Sequence, residues 1–202
     1  MLSHDDLADA EGSALAMLQI AKLDPSCVPS MATLSRRLTG SAPQRARMVG
    51  LGDLTHFREG WILRVNCALP TSRANWVTGH ELAHWWFRTH QREPAEPALL
   101  EAMCDAIGAA LVVPREAFRA ARAHLGDRVH RLAETFETTH ALALLRVGEV
   151  TGRPVRLLGP RERVRGDHFV WGDTDACLRG AVRDVVHPVR LTDERRWGLM
   201  VT

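Results

Sequence analysis

The residues best placed to do chemistry are His80, Glu81 and His84, in the segment His80-Glu81-Leu82-Ala83-His84. Two histidines four positions apart lie on one face of a helix, one turn from each other, so both imidazoles can reach a single metal ion. Glu81 points about 100° away around the helix, so it suits the role of a base better than that of a further ligand. The pattern H-E-x-x-H is typical of zinc-dependent peptide hydrolysis.

Two carboxylates downstream, Glu101 and Asp105, begin another apolar helical pattern and lie one turn apart. A carboxylate completes many three-ligand catalytic zinc sites, and metal-bound histidines usually donate their second N–H to a carboxylate. We therefore predict that Glu101 joins His80 and His84 as the third Zn²⁺ ligand. Asp105 would then orient one of the histidines. The alternative for Glu101 is a solvated helix residue. Gly108 continues this face and would let two helices approach closely.

Cys104 lies three residues after Glu101, near the same helix face. One interpretation is burial as a small apolar residue. The other is a regulatory thiolate that reaches zinc, blocks the water position and is released by oxidation. The sequence leaves both interpretations open.

The length of 202 residues and a hydrophobic content of 46% fit one globular domain with a small appendage. The net charge of +2 indicates no particular partner. The four cysteines are far apart in sequence and form no C-x-x-C metal ribbon. Asp5, Asp6 and Asp9 lie where a signal peptide would carry basic residues, and no apolar run has the roughly 18 residues that a membrane helix needs. We expect a soluble cytoplasmic protein with reduced thiols and no membrane partner.

Apolar spacing, capping residues and prolines predict an α+β fold with a mainly helical core and a small sheet. The expected helices are one capped by Ser3, one from Ser30 to Leu38 that Gly40 ends, one capped by Thr71 or Ser72 that runs to about His90, one from Pro97 to Val113, one from Pro114 to Gly126, and two over residues 128–137 and 139–151. A strand is expected over Trp61–Val65. Glycines divide residues 155–202 into short apolar runs, so we predict a core domain over residues 1–158 and a β-rich extension over 159–202.

A cluster of arginines follows the last predicted helix. Its members are Arg153, Arg156, Arg161, Arg163 and Arg165. Such a segment is usually a solvated surface. It is also the place in this chain best suited to bind a nucleic acid or an acidic partner, and single-stranded DNA released by damage is one candidate activator.

Several segments resemble, in order, those of the ImmA/IrrE family of metallopeptidases, over roughly residues 11–158. They are Trp61–Asn66, similar to the family's I-x-V-N strand; Arg73–His84, similar to R-x-R-F-T-x-A-H-E-x-G-H; Glu101–Pro114, similar to E-x-E-A-N-x-F-A-A-x-L-L-M-P; and Leu132–Val150, similar to the closing helical pair. The departures are Asp105 for a common Asn, Cys104 for a common Ala, and Gly79 and Ala83 for Ala and Gly. None of them removes a ligand.

The resemblance implies a zincin-like fold and a gluzincin-like site, with zinc on His80, His84 and Glu101 and with Glu81 as the base. Members of this family typically cleave a helix-turn-helix repressor, often encoded nearby, in phage, mobile-element or DNA-damage responses. We therefore expect a zinc endopeptidase of this kind. The alternative is a non-proteolytic zinc-containing regulatory module that binds DNA or a repressor partner. The intact Glu81 favours the enzyme, because a binding module has no need of a base there.

The strand over Trp61–Asn66 resembles the edge strand that lines peptidase clefts. We expect it to pair with an extended substrate segment by β-augmentation. A substrate would then have to present or unfold a loop, because a helix offers no free backbone groups to an edge.

Overall fold

The computed structural model describes residues 2–152 and three strands at residues 155–158, 186–190 and 197–201. The described elements are α1 (His4–Ile20), α2 (Met31–Thr39), β1 (Gln44–Ala46), β2 (Gly52–Phe57), β3 (Gly60–Asn66), α3 (Thr71–His90), α4 (Pro97–Val112), α5 (Arg115–Leu125), α6 (Val129–Thr135), α7 (His140–Thr151), β4 (Val155–Leu158), β5 (Val186–Arg190) and β6 (Trp197–Val201). The mainly helical fold with a small sheet confirms the predicted class. The chain divides into two units, Met1–Ala120 with Thr135–Thr138, and Ala121–Glu134 with Thr139–Thr202.

The first two helices begin and end where their capping residues predict. The Ser3 hydroxyl accepts the Asp6 N–H at 3.1 Å, and the Asp6 carboxylate accepts the Ser3 N–H at 2.7 Å, so the two residues form a capping box. Ser30 caps α2 by accepting the Thr33 N–H. Gly40 ends α2 with a φ of 87°, a left-handed conformation that glycine adopts without steric cost.

The start of α3 differs from the prediction that Thr71 or Ser72 caps it. Thr71 is already the first helical residue, and the N-cap position is Pro70, whose side chain makes no capping hydrogen bond. The extended Pro70 instead offers its carbonyl to the N–H groups of Arg73 and Ala74. The helix after it, α4, begins at Pro97 as predicted. Among the described residues, no single helix has both the length and the apolarity needed to cross a membrane, and only α4 and α5 taken together, at a 53° bend, meet that test.

The sheet of the first unit has the strand order β1-β3-β2. β1 pairs with β3 in parallel, and β2 pairs with β3 as an antiparallel hairpin. β3 is therefore the central strand, and the expectation that Trp61–Asn66 is an edge strand is wrong. The cause is the short strand Gln44–Ala46, which covers the side of β3 that the hairpin leaves open. β3 buries Leu63 and Val65 and packs against α2 and α3.

The second unit holds α7 and a small antiparallel sheet of order β4-β6-β5. Thr139 caps α7, and Gly152 ends it with a φ of 69°. Val155 of β4 is in register with Met200 of β6. Arg156 lies in β4, whereas Arg153 and the remaining arginines of the predicted cluster, with residues 159–185, lie outside the described residues. The predicted boundary between residues 158 and 159 stays a prediction.

Candidate metal centre and active site

The centre is built where α3 crosses α4 at two glycines. A Cβ atom on Gly79 would lie 2.8 Å from the Gly108 carbonyl oxygen, and a Cβ on Gly108 would lie 2.7 Å from the His80 nitrogen. The two backbones are thus in direct contact, which confirms the close approach expected at Gly108. Gly79 is the other half of this contact, and the sequence indicates it only as a departure from the family pattern. The crossing brings the start of α4, with Glu101, to the histidines of α3.

Three predicted ligands converge at this crossing. The Nε2 atoms of His80 and His84 are 3.1 Å apart, and the two Glu101 carboxylate oxygens each lie 3.4 Å from one of them. Two ligands at about 2.0–2.1 Å from a tetrahedral ion lie roughly 3.3–3.4 Å from each other, so these spacings fit one Zn-sized ion. His80, His84 and Glu101 are the group capable of holding a metal among the described residues.

Asp105 lies where the sequence predicts a residue that orients a histidine. Its Oδ1 atom is 2.8 Å from His80 Nδ1. With the proton on Nδ1 shared with this carboxylate, the Nε2 lone pair of His80 is directed at Glu101 and His84. Burial lowers the pKa of His80, but the hydrogen bond and charge of Asp105, together with the charges of Glu81 and Glu101, outweigh it, so the net pKa is raised. For His84, burial and the neighbouring His80 lower the pKa, which favours the neutral form that a metal requires.

Glu81 lies beside the three ligands and is not one of the converging group. Burial raises the pKa of its carboxyl to about 7; His80 opposes the shift, and the nearby Asp53 adds to it. A carboxyl group that titrates near neutrality can both accept and release a proton at physiological pH. The structure therefore gives Glu81 the properties of a general base and, after protonation, of a general acid.

Cys104 is completely buried. Burial, followed by the charges of Glu101 and Asp105, raises the pKa of its thiol well above the usual range. A buried neutral thiol is a poor nucleophile and a poor metal ligand. Cys104 also does not belong to the converging group of ligands. These observations favour the packing interpretation over the regulatory thiolate.

Two further residues at the centre were not anticipated from the sequence. Arg88 lies one turn after His84 on α3, and its guanidinium donates a hydrogen bond to the Leu54 carbonyl of β2 at 3.2 Å. The four-residue spacing from His84 is the signal that could have indicated it. Trp76 lies one turn before His80, with its ring centroid 5.6 Å from that of the imidazole. Trp76 thus forms part of the wall of the centre.

The glycine crossing leads to a stability prediction. Gly108→Ala should lower the free energy of unfolding by about 1–3 kcal/mol, because the added methyl would overlap the α3 backbone. It should also weaken metal binding, because α4 carries Glu101. Urea unfolding of metal-free protein and zinc titration measure the two effects. Gly12→Ala is the matched control, since Gly12 is an exposed position of α1 where a Cβ meets nothing within 4 Å, and it should be neutral or stabilising. Equal stability of the two variants would contradict a tight crossing.

Comparisons with known proteins show the family of this chain. No curated protein matches the sequence. A solved structure described as a Mycobacterium tuberculosis transcriptional regulator is similar in fold, with a TM-score of 0.53 and 16% identity over 75% of this chain. The chain spans about half of that protein, 51% of its length. Residues 45–147, which include every residue of the metal centre, match the family described as the IrrE N-terminal-like domain, Peptidase M78. The chain therefore belongs to this metallopeptidase family.

Proposed function

We propose that this protein is a zinc-dependent endopeptidase. The observation that carries the proposal is the convergence of His80, His84 and Glu101 within 4.8 Å of one another beside the partly buried carboxyl of Glu81. Two imidazoles and one carboxylate are a donor set typical of catalytic zinc, which leaves a coordination position open. A zinc ion held there would supply Lewis acidity for polarising the scissile carbonyl and favouring ionisation of water.

The chain's own residues then carry the proton transfers. Glu81 takes a proton from the attacking water and delivers it to the leaving amine. Its burial matters, because a carboxyl group with a pKa near 7 has the driving force to do both. Asp105 holds His80 in the tautomer and orientation that keep Nε2 directed at the centre.

For the substrate we propose the outer edge of β2, in place of β3. The Leu51 carbonyl accepts the Asn66 N–H, so Leu51 turns its backbone groups toward β3. In an antiparallel pair, every second residue does so. The N–H and C=O groups of Gly52, Leu54 and His56 therefore point away from β3. The hydrogen bond from Arg88 to the Leu54 carbonyl agrees with this direction. An extended peptide can pair with these groups next to the metal centre.

This binding mode predicts a preference for flexible substrates. A protein whose cleavage segment lies in an unfolded loop should be cut at least ten-fold faster than the same segment held in a helix, since only the extended form has free backbone groups. The comparison uses one cleavage segment in two forms, unconstrained and held in the helix by an engineered disulfide. Reduction of the disulfide is the control, since it should restore fast cleavage. Faster cleavage of the folded form would argue against edge pairing.

The biological substrate that we propose is a helix-turn-helix transcriptional repressor encoded nearby. The support is the family membership, together with the description of the structural neighbour as a transcriptional regulator. Co-expression of candidate repressors with the wild-type chain and with Glu81→Gln tests the proposal. Cleavage by the wild type alone is the expected result. Repressor inactivation by both chains, without cleavage, would instead indicate a non-proteolytic regulator.

We further propose single-stranded DNA as the activator, bound by the arginine cluster of residues 153–165. Charge reversal at Arg161 and Arg163 should abolish stimulation by DNA, and stimulation in the wild type should fall steeply with salt. Cleavage that is indifferent to DNA would remove this part of the proposal without affecting the peptidase assignment.

A further inference from the structure

Gly52, the first residue of β2, lies directly against the proposed base. A Cβ atom on Gly52 would lie 3.1 Å from Glu81 Oε1, 3.1 Å from the Arg64 carbonyl oxygen and 2.5 Å from Val77 Cγ1. Gly52 is not in the left-handed region, so the backbone conformation does not require glycine here. Glycine is required here because the surrounding atoms leave no space for a side chain.

Two of the three groups around Gly52 have little freedom to move. Val77 is 2% exposed in the middle of α3, and its branched side chain has few alternative rotamers in a helix. The Arg64 oxygen is part of the central strand β3, in register with the neighbouring Asp53. The Glu81 carboxyl is the remaining group that an added methyl could displace. It is only partly buried and Oε1 is the end of a flexible side chain, so it yields more readily than Val77 or the Arg64 backbone.

We propose that Gly52 is a positioning residue for Glu81. The bare backbone at the start of β2 forms the wall against which the carboxyl group rests, and any side chain at position 52 displaces Oε1 from that position. This inference rests on the proposed function only in assigning catalysis to Glu81. The displacement itself is a property of the packing between β2 and α3.

The test separates positioning from simple destabilisation by a cycle of variants. Gly52→Ala alone should lower the melting temperature, because its methyl overlaps Val77. Val77→Ala removes Cγ1 and thus the 2.5 Å overlap, but it leaves the 3.1 Å approach to Glu81. Adding Gly52→Ala to Val77→Ala should therefore lower the melting temperature much less than Gly52→Ala does in the wild type, because only the 3.1 Å contacts remain. It should still lower kcat by about 2–10-fold, the loss expected for a catalytic group displaced by less than 1 Å, with zinc content unchanged.

Crystal structures of Val77→Ala with and without Gly52→Ala supply a readout that does not depend on activity. The Glu81 carboxyl should move by a few tenths of an ångström, the amount by which a 3.1 Å contact has to relax. An unmoved carboxyl, or a kcat that recovers together with the melting temperature, would overturn the inference. If the wild type cleaves no protein although the carboxyl moves, the proposed function fails and the positioning by Gly52 stands.

Discussion

Glu81→Gln should keep its fold and its metal and lose proteolysis by about 10²–10⁴-fold or more. Glutamine has the shape of glutamate but cannot take a proton from water. The ligand group lies on other residues, so zinc content should equal that of the wild type. Single-turnover cleavage of an unfolded protein substrate and elemental analysis are the measurements. Glu59→Gln, on the exposed turn before β3, is the control and should cleave normally. Cleavage by Glu81→Gln at the wild-type rate would show that Glu81 is not the base.

The same substitution should make the free energy of unfolding of the metal-free protein less dependent on pH. The pKa of Glu81 rises from an ordinary value of 4.5 to about 7 in the fold, chiefly through burial. Between these values the unfolded chain releases a proton that the folded chain keeps, so stability falls as pH rises through this window and is constant above it. Glu81→Gln removes this loss. Measured in the presence of a chelator, the free energy of unfolding of the variant should rise relative to that of the wild type between pH 4.5 and 7. A difference that stays constant with pH would contradict burial of the carboxyl.

His84→Ala should lose the metal and the stability that it confers. The wild type should hold about one zinc per chain, and zinc at a hundred times its Kd should add about 2.7 kcal/mol to the free energy of unfolding. His84 lies in the middle of α3 and is 9% exposed, so its loss also leaves a space beside His80. Thermal unfolding with and without added zinc should show a shift for the wild type and none for the variant.

Two further variants test whether the loss of zinc is specific to the proposed ligands. Asp105→Ala removes the carboxylate on His80 Nδ1 but no proposed ligand, so zinc binding should weaken by about 10–100-fold without being abolished. His90→Ala changes an exposed histidine at the end of the same helix and should bind zinc like the wild type. Full zinc occupancy of His84→Ala would count decisively against the three-ligand assignment.

Local pattern was sufficient for the parts of the site that depend on neighbouring residues. The spacing of His80 and His84 already implies one helix face, and that of Glu101 and Asp105 implies another, because helical periodicity acts over four residues. The starts of α1 and α2 followed from Ser3 and Ser30 for the same reason: a capping hydrogen bond spans three residues.

The sheet order, the burial of Cys104 and the contact between Gly52 and Glu81 depend on packing between segments that are distant in sequence. The sheet order placed β3 at the centre, because strand pairing depends on partners such as β1 that are remote in sequence and carry almost no pattern of their own. The complete burial of Cys104, which favours a packing role, also depends on the tertiary structure. The wall that Gly52 forms for Glu81 joins residues 29 positions apart, and no spacing rule connects them. Residue types and local spacing thus indicated the proposed donor atoms, whereas the contacts of α3 with α4 and β2 set their distances and raised the pKa of Glu81, the proposed base.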